Sequence, residues 1–438
     1  MKLEHWWNYE EGVAGEWQAN REDLWAGETQ GGCPREKGKN ERGVEVKSGR
    51  SFDDSSDCVF DSRGGGGLEP SIWLPMTQEL SFQKFIEQSD LLEELKYDFN
   101  ENAELRHTET QRPFVFNYYK NVLERNSKRY QALGHLLERY IYELLEKVCK
   151  LQKVYIPPEA DKEPRSFFFM SERALTNHHS VLLVLLQDHG VFRAGQWSQQ
   201  AIIHHGLQHG SQIPCIQMAL QAHYDVIVLN PNDNFMDLNM EKEWNGLLTQ
   251  NKNTESSSPK TAQAESFFSL QHPPQSIPKR YSKTPEEHMA YIWDYFISKT
   301  EGKDVAFIVH GYGGLVFMDL LVHRKWEVMS KVYAVALIDS EHHVGHQLGS
   351  DVQLLAWIKH HCREWVTSPK PLDKPEATIL KKEFPMVSAG TEKYNLAPSS
   401  SLQSIFKYFK KALKAKTTIN FSQMSIVTRS STKRKQSA

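Results

Sequence analysis

Cysteine is scarce in this 438-residue chain: there are five, Cys33, Cys58, Cys149, Cys215 and Cys362, and no two lie close together. That scatter builds neither a disulfide framework nor a zinc cluster, and it points to a reducing compartment. Long apolar runs are also missing. The most apolar stretch, Val181–Leu186, falls far short of the ~20 residues that a membrane span requires, so it reads as a buried strand and no membrane contact is expected. The first residues, Met1-Lys2-Leu3-Glu4-His5, lead into acids and paired tryptophans rather than an apolar segment, and no secretory targeting is expected. Net charge is nearly absent as well, at −3, but the small total hides an asymmetry. Residues 1–75 carry nine Lys/Arg against fifteen Asp/Glu, whereas residues 407–438 carry nine Lys/Arg and no acid.

What is present, 39% hydrophobic residues over this length, suffices for one large core. Residues 1–75 hold twelve of the 25 glycines and show no apolar period, which predicts a disordered extension. Residues 76–127 read as a small adapter, with Phe82, Phe85 and Ile86 at helical spacing and a short strand at Phe114-Val115-Phe116. From Tyr130 to Val148 apolar residues recur every three or four positions, the stripe of a long helix. Strand-like runs follow at 166–170, 181–186, 224–229, 305–309 and 332–338, separated by helical segments. Apolar runs without alternation belong to strands covered on both faces, and the strand–loop–helix order favours a doubly wound, mostly parallel sheet over 128–415. Polar residues 239–283 interrupt it as a surface insertion. A closing helix runs through Leu402, Ile405, Phe406, Phe409 and Leu413, and residues 416–438 read as a basic, disordered tail.

The sharpest local signal is Val305-Ala306-Phe307-Ile308-Val309-His310-Gly311-Tyr312-Gly313-Gly314 followed by an apolar helical pattern. It reads as the strand–turn–helix of a nucleophile elbow, Gly-x-Ser-x-Gly, in which small flanking residues let a tight turn hold a serine above the sheet. This gives the fold class: α/β, of α/β-hydrolase type. Gly311 occupies the serine position, and glycine relaxes the turn but brings no attacking oxygen. A glycine-rich turn that binds phosphate or merely packs closely fits the same residues.

Four blocks carry a resemblance: Pro113-Phe114-Val115-Phe116-Asn117-Tyr118, Tyr140–Lys147, Arg193-Ala194-Gly195-Gln196-Trp197, and Ala334–Ser340 with His342 and His346. Through them the chain resembles the argonaute-binding protein two (Arb-two) family, and its animal cotranscriptional regulators in particular, from about residue 80 to 412. The resemblance implies an α/β-hydrolase-like fold and links to argonaute, small-RNA-directed heterochromatin and splicing control. The family elbow His-Ser-Tyr-Gly-Gly matches His310-Gly311-Tyr312-Gly313-Gly314, without the serine. A loop reading His-Gly-Ser-Gly in relatives matches Gln187-Asp188-His189-Gly190, where the acid is expected to repel an oxyanion. Tyr394 stands where relatives carry a histidine suited to the base. Asp339 alone survives as a plausible acid, and it also suits a helix cap or a turn.

The expectation is therefore a non-catalytic scaffold for protein partners such as argonaute or chromatin factors, in nucleus and cytoplasm. The rival is a residual serine-hydrolase-like enzyme or a binder of small acyl ligands in the old cleft. Ser340 beside Asp339 and His342 offers a substitute triad only if sequence neighbours meet in space. Asp339, His342, His343 and His346 share metal-ligand spacing, but His178-His179, His204-His205 and His209 show histidine used freely, and no metal or cofactor is expected. Lys433-Arg434-Lys435 reads as a nuclear-targeting cluster, with at most weak nucleic-acid contact through the tail.

Overall fold

The computed structural model describes residue 82 and residues 96–120, 122–159, 163–177, 180–237, 276–300, 304–342, 344–376 and 384–434, with side chains to residue 418. The expected extension at 1–75, the helix through Phe85 and Ile86, the core of the insertion, and His178, His179, His343 and Lys435 lie outside the described residues.

The chain enters through an antiparallel pair, β1 (Tyr97–Phe99) and β2 (Leu105–His107). Next comes α1 (Leu123–Lys147), whose apolar stripe buries Leu133, Leu137, Tyr140, Ile141 and Leu145 as the spacing predicts. Phe114 is buried, yet no strand forms around it. Its ring lies 4.2 Å from the guanidinium of Arg129, itself buried and donating to the Val115 carbonyl. That cation–π seat uses the aromatic side chain without a ladder, so the predicted strand is corrected to a loop. Phe99 stacks on Tyr140 at 5.4 Å, and the adapter's described residues pack on α1 within one compact unit, Thr77–Ala438.

β3 (Leu151–Ile156), β4 (Ser166–Ser171) and β5 (Leu182–Leu186) follow, then α2 (Gln199–His205), α3 (Leu207–Gly210), α4 (Ile213–Gln221) and β6 (Asp225–Val228). The insertion leaves and returns on a short antiparallel pair, β7 (Phe235–Asp237) and β8 (Ser276–Pro278). Ser282 is fully buried and bonded to His288, so the folded domain resumes earlier than residue 284. After α5 (Pro285–Ile292) come β9 (Val305–His310), α6 (Gly313–His323), α7 (Lys325–Lys331), β10 (Val332–Ile338), α8 (Val344–Gln347), α9 (Val352–His361), β11 (Cys362–Val366), β12 (Met386–Ser388) and α10 (Ala397–Arg434).

The central sheet has eight strands in the order β12-β11-β10-β9-β5-β6-β4-β3. All neighbours from β12 to β6 are parallel, while β4 runs antiparallel to both β6 and β3. The fold is thus mixed α/β on a mostly parallel sheet. Every residue of β5, β9 and β10 is buried, as apolar runs covered on both faces require. The closing helix continues to Arg434, which corrects the expected disordered tail over 416–434: no proline or glycine interrupts the sequence between Ser399 and Arg434.

Candidate functional site

Three chain segments meet at the carboxyl end of the parallel strands: the loop after β5, the turn after β9 and the segment after β12. The β9 turn is tight, as its sequence requires. Gly311 adopts φ +53°, the left-handed conformation glycine tolerates best, and its N–H donates to the Ile338 carbonyl at 3.0 Å. Tyr312 precedes α6, and its hydroxyl donates to Glu286 at 2.6 Å, which ties the turn to α5. Burial and the Glu286 carboxylate push that hydroxyl's pKa up to about 12.

Asp188 is the centre of the constellation. Its Oδ1 accepts the Tyr312 N–H at 2.7 Å and the His189 N–H at 2.8 Å, and the His189 ring nitrogen Nδ1 lies 3.2 Å from the same oxygen. Its Oδ2 accepts the Tyr394 hydroxyl at 2.6 Å. Burial alone raises this carboxyl's pKa, but the bonds from His189 and Tyr394 and the nearby His310 outweigh it and hold it below the ordinary value. The carboxylate is held by the N–H of Tyr312, which follows Gly311, and by that of His189 in the loop after β5.

The elbow has no room for a side chain. A β-carbon on Gly311 would lie 2.3 Å from Asp188 Cγ and 2.3 Å from the Tyr394 hydroxyl oxygen. Tyr394, at the start of the short 3-10 turn before α10, is buried, and burial followed by the Asp188 charge keeps its hydroxyl neutral far above the ordinary range. It donates to Asp188 and serves no base. Gln187 and Gly190 flank Asp188 and His189; Gln187 is buried and its amide oxygen accepts from Gln212 at 3.5 Å.

Asp339 stands at φ +39°, and its Oδ1 accepts both the N–H (2.7 Å) and the hydroxyl (3.1 Å) of Thr367. Those bonds tie the end of β10 to the end of β11. Ser340 and His342 do meet: Ser340 Oγ is 2.8 Å from His342 Nδ1, while Glu364 accepts the Ser340 N–H. His342 thus pairs with a serine. A different grouping, Asp188, His189 and Glu341, brings ligand-type atoms within 4.8 Å of one another. Both oxygens of Asp188 are already committed to N–H and O–H donors, which fits a hydrogen-bonded plug better than a cation site.

Sequence reasoning missed His310, the last residue of β9. Its ring is 1% exposed, lies 4.7 Å from that of Tyr394, and finds no hydrogen-bond partner among the described residues. Burial lowers its pKa, against the opposing pull of Asp188. Its place beside the elbow was the only available signal.

The sequence model of the Arb2 domain matches residues 88–372. A human protein designated ARB2BP is 89% identical over 83% of this chain and 100% of its own length. The Xenopus tropicalis cotranscriptional regulator ARB2A homolog is 43% identical over 76% of this chain and 82% of its own. The human cotranscriptional regulator ARB2A is 41% identical over 75% and 82%. Among solved structures, the histone deacetylase Clr3 aligns with 70% of this chain and 42% of that one, at 12% identity and a TM-score of 0.37.

Proposed function

This chain belongs to the Arb2 domain family, and from that membership we propose that it is a non-catalytic, α/β-hydrolase-like regulator that works by binding proteins. The hydrolase-type reading is supported by strand order. Within the central sheet, the loop of Asp188 follows the third strand in sequence, Gly311 the fifth and Tyr394 the eighth. The chain order Gly311, Asp339, Tyr394 repeats nucleophile, acid and base.

One observation carries the non-catalytic reading: the Asp188 carboxylate takes both oxyanion-hole donors and, with Tyr394, fills the space of a nucleophile's side chain. A substrate carbonyl would have to displace a buried anion held by several donors. The relatives named cotranscriptional regulators support a regulatory role, with argonaute or chromatin factors as the partners to seek. Affinity capture of the tagged chain from cells, scored against an empty-tag control, tests this. Enrichment of argonaute or chromatin proteins is the expected result, and enrichment of neither sinks the partner assignment.

The rival reading, a residual hydrolase or acyl-ligand binder, is favoured by the Ser340–His342 contact. Ser340 is only 7% exposed, however, and is packed so closely on Gly314 that a β-carbon there would overlap its hydroxyl. No described helix is long and apolar enough to cross a membrane.

Both nucleus and cytoplasm are the proposed locations, with Lys433, Arg434 and Lys435 as the targeting cluster. Deleting residues 429–438 is expected to lower the nuclear fraction of a fluorescent fusion and leave the unfolding midpoint within ~1 °C, because a polar basic end buries little apolar surface. An unchanged nuclear fraction removes the targeting role.

A further inference from the structure

The last helix has a sidedness that the pseudo-active site does not use. Its inner face buries Leu402, Ile405, Phe406 and Phe409. Lys407, Lys410, Lys411 and Lys414 are exposed on the other side, at spacings of three and four that align them along one face. The helix contains no Asp or Glu from Ala397 to Arg434. None of these four lysines makes an ion pair with a described residue. Their neighbours are basic too. The Tyr408 hydroxyl donates to the His361 carbonyl at 2.6 Å, which brings the end of α9, with exposed Lys359 and His360, against this helix. Arg363 lies 5.1 Å from the Tyr408 ring.

Three acids near the helix or the strand beneath it are engaged elsewhere. Asp304 pairs with Lys416, Asp373 accepts from Trp365 and Ser404, and buried Glu364 accepts the Ser340 N–H. In a chain whose net charge is −3, these lysines form a local basic row with no ion-pair partner among the described residues.

We infer that the exposed face of α10 is a docking surface for the phosphate backbone of a nucleic-acid duplex. The lysine row spans ~10 Å at the helical rise per residue, a length over which a duplex presents about six phosphate charges. A single-stranded partner fits less well, because the row carries no exposed aromatic side chain and Tyr408 has its hydroxyl bonded inward. Lysine ammonium groups on phosphates hold position without reading bases, so binding here is independent of sequence. The proposed site uses neither Lys433-Arg434-Lys435 nor the plugged elbow.

The test uses the full chain and a fluorescein-labelled 24-base-pair DNA duplex, read by anisotropy across a salt series. With four phosphate contacts, the slope of log affinity against log salt is expected to lie between about −3 and −4, which is ~100-fold weaker binding at 200 than at 50 mM salt. The quadruple variant K407A/K410A/K411A/K414A should bring the slope near zero with an unchanged unfolding midpoint, and the corresponding four arginine substitutions should keep it. Deleting residues 429–438 should leave most of the slope. The inference is overturned if the quadruple variant binds like the unmodified chain, if the deletion alone abolishes binding, or if a single strand of the same length binds more tightly. Binding to phosphatidylserine vesicles but not to the duplex overturns it as well.

Discussion

Replacing Asp188 by alanine lowers the unfolding free energy by about 3–5 kcal/mol, the cost of breaking a buried charged network by removing one member. The substitution strands the Tyr312 N–H, the His189 N–H and the Tyr394 hydroxyl, all of which now converge on one carboxylate. Each buried donor left unpaired costs ~1–3 kcal/mol, and partial rescue by entering water keeps the total below the sum. In a domain of this size the midpoint should fall by ~5–15 °C in differential scanning calorimetry. Asp188→Asn, which keeps an acceptor and loses the charge, should cost roughly half as much. A midpoint within ~1 °C of the unmodified chain for the alanine variant would show that the network adds nothing to stability.

The same carboxylate sets a pH dependence. Because its folded pKa is held below the unfolded value of 3.8, Asp188 contributes stability that is complete above that value and lost as the pH falls through the lower, folded one. The part of the stability gap between the unmodified chain and Asp188→Asn that comes from the carboxylate's own charge should therefore narrow below about pH 4. His189 has the opposite sign. The Asp188 hydrogen bond raises its pKa, so its contribution is present in mild acid and fades as the pH rises through that raised value.

The strands legible in the sequence were those with uninterrupted apolar runs, β4, β5, β6, β9 and β10. β3, Leu-Gln-Lys-Val-Tyr-Ile, is buried only at its two ends at the sheet edge, and β11, Cys-Arg-Glu-Trp-Val, carries two charges, one of them the buried Glu364. Neither shows an apolar run, so only the sheet reveals them. Phe114-Val115-Phe116 misled because aromatic residues favour strands, whereas here Phe114 seats a buried arginine. At the site, the lack of a side-chain nucleophile at position 311 could be read from Gly311 alone. The role of Asp188 could not, because a carboxylate's effect on an oxyanion hole depends on whether it faces the hole or fills it. That choice is made by two backbone N–H groups separated by more than a hundred residues, Tyr312 and His189.

The unmodified chain should not react with a fluorophosphonate probe, and its esterase turnover should not exceed that of Asp339→Asn, since Gly311 supplies no nucleophile. Loss of the nucleophile alone costs ~10⁶-fold in a serine hydrolase. Restoring it with Gly311→Ser should still leave the chain unreactive. The new β-carbon would meet both Asp188 and the Tyr394 hydroxyl at 2.3 Å, so the variant should also lose ~1–3 kcal/mol through overpacking. Even a seated serine would face a phenol held neutral in place of a general base, and a hole whose two N–H donors are occupied by a carboxylate. The triple variant G311S/Y394H/D188G removes all three obstacles together. It opens space for the hydroxyl, supplies an imidazole near its working pKa, and frees the Tyr312 and His189 N–H groups for an oxyanion. Probe labelling at position 311, read by mass spectrometry of the digested protein, is expected in the triple variant and absent from the single one. Labelling of the unmodified chain at Ser340 would identify the Ser340–His342 pair as a working nucleophile and base, and would replace the non-catalytic reading with the hydrolase one.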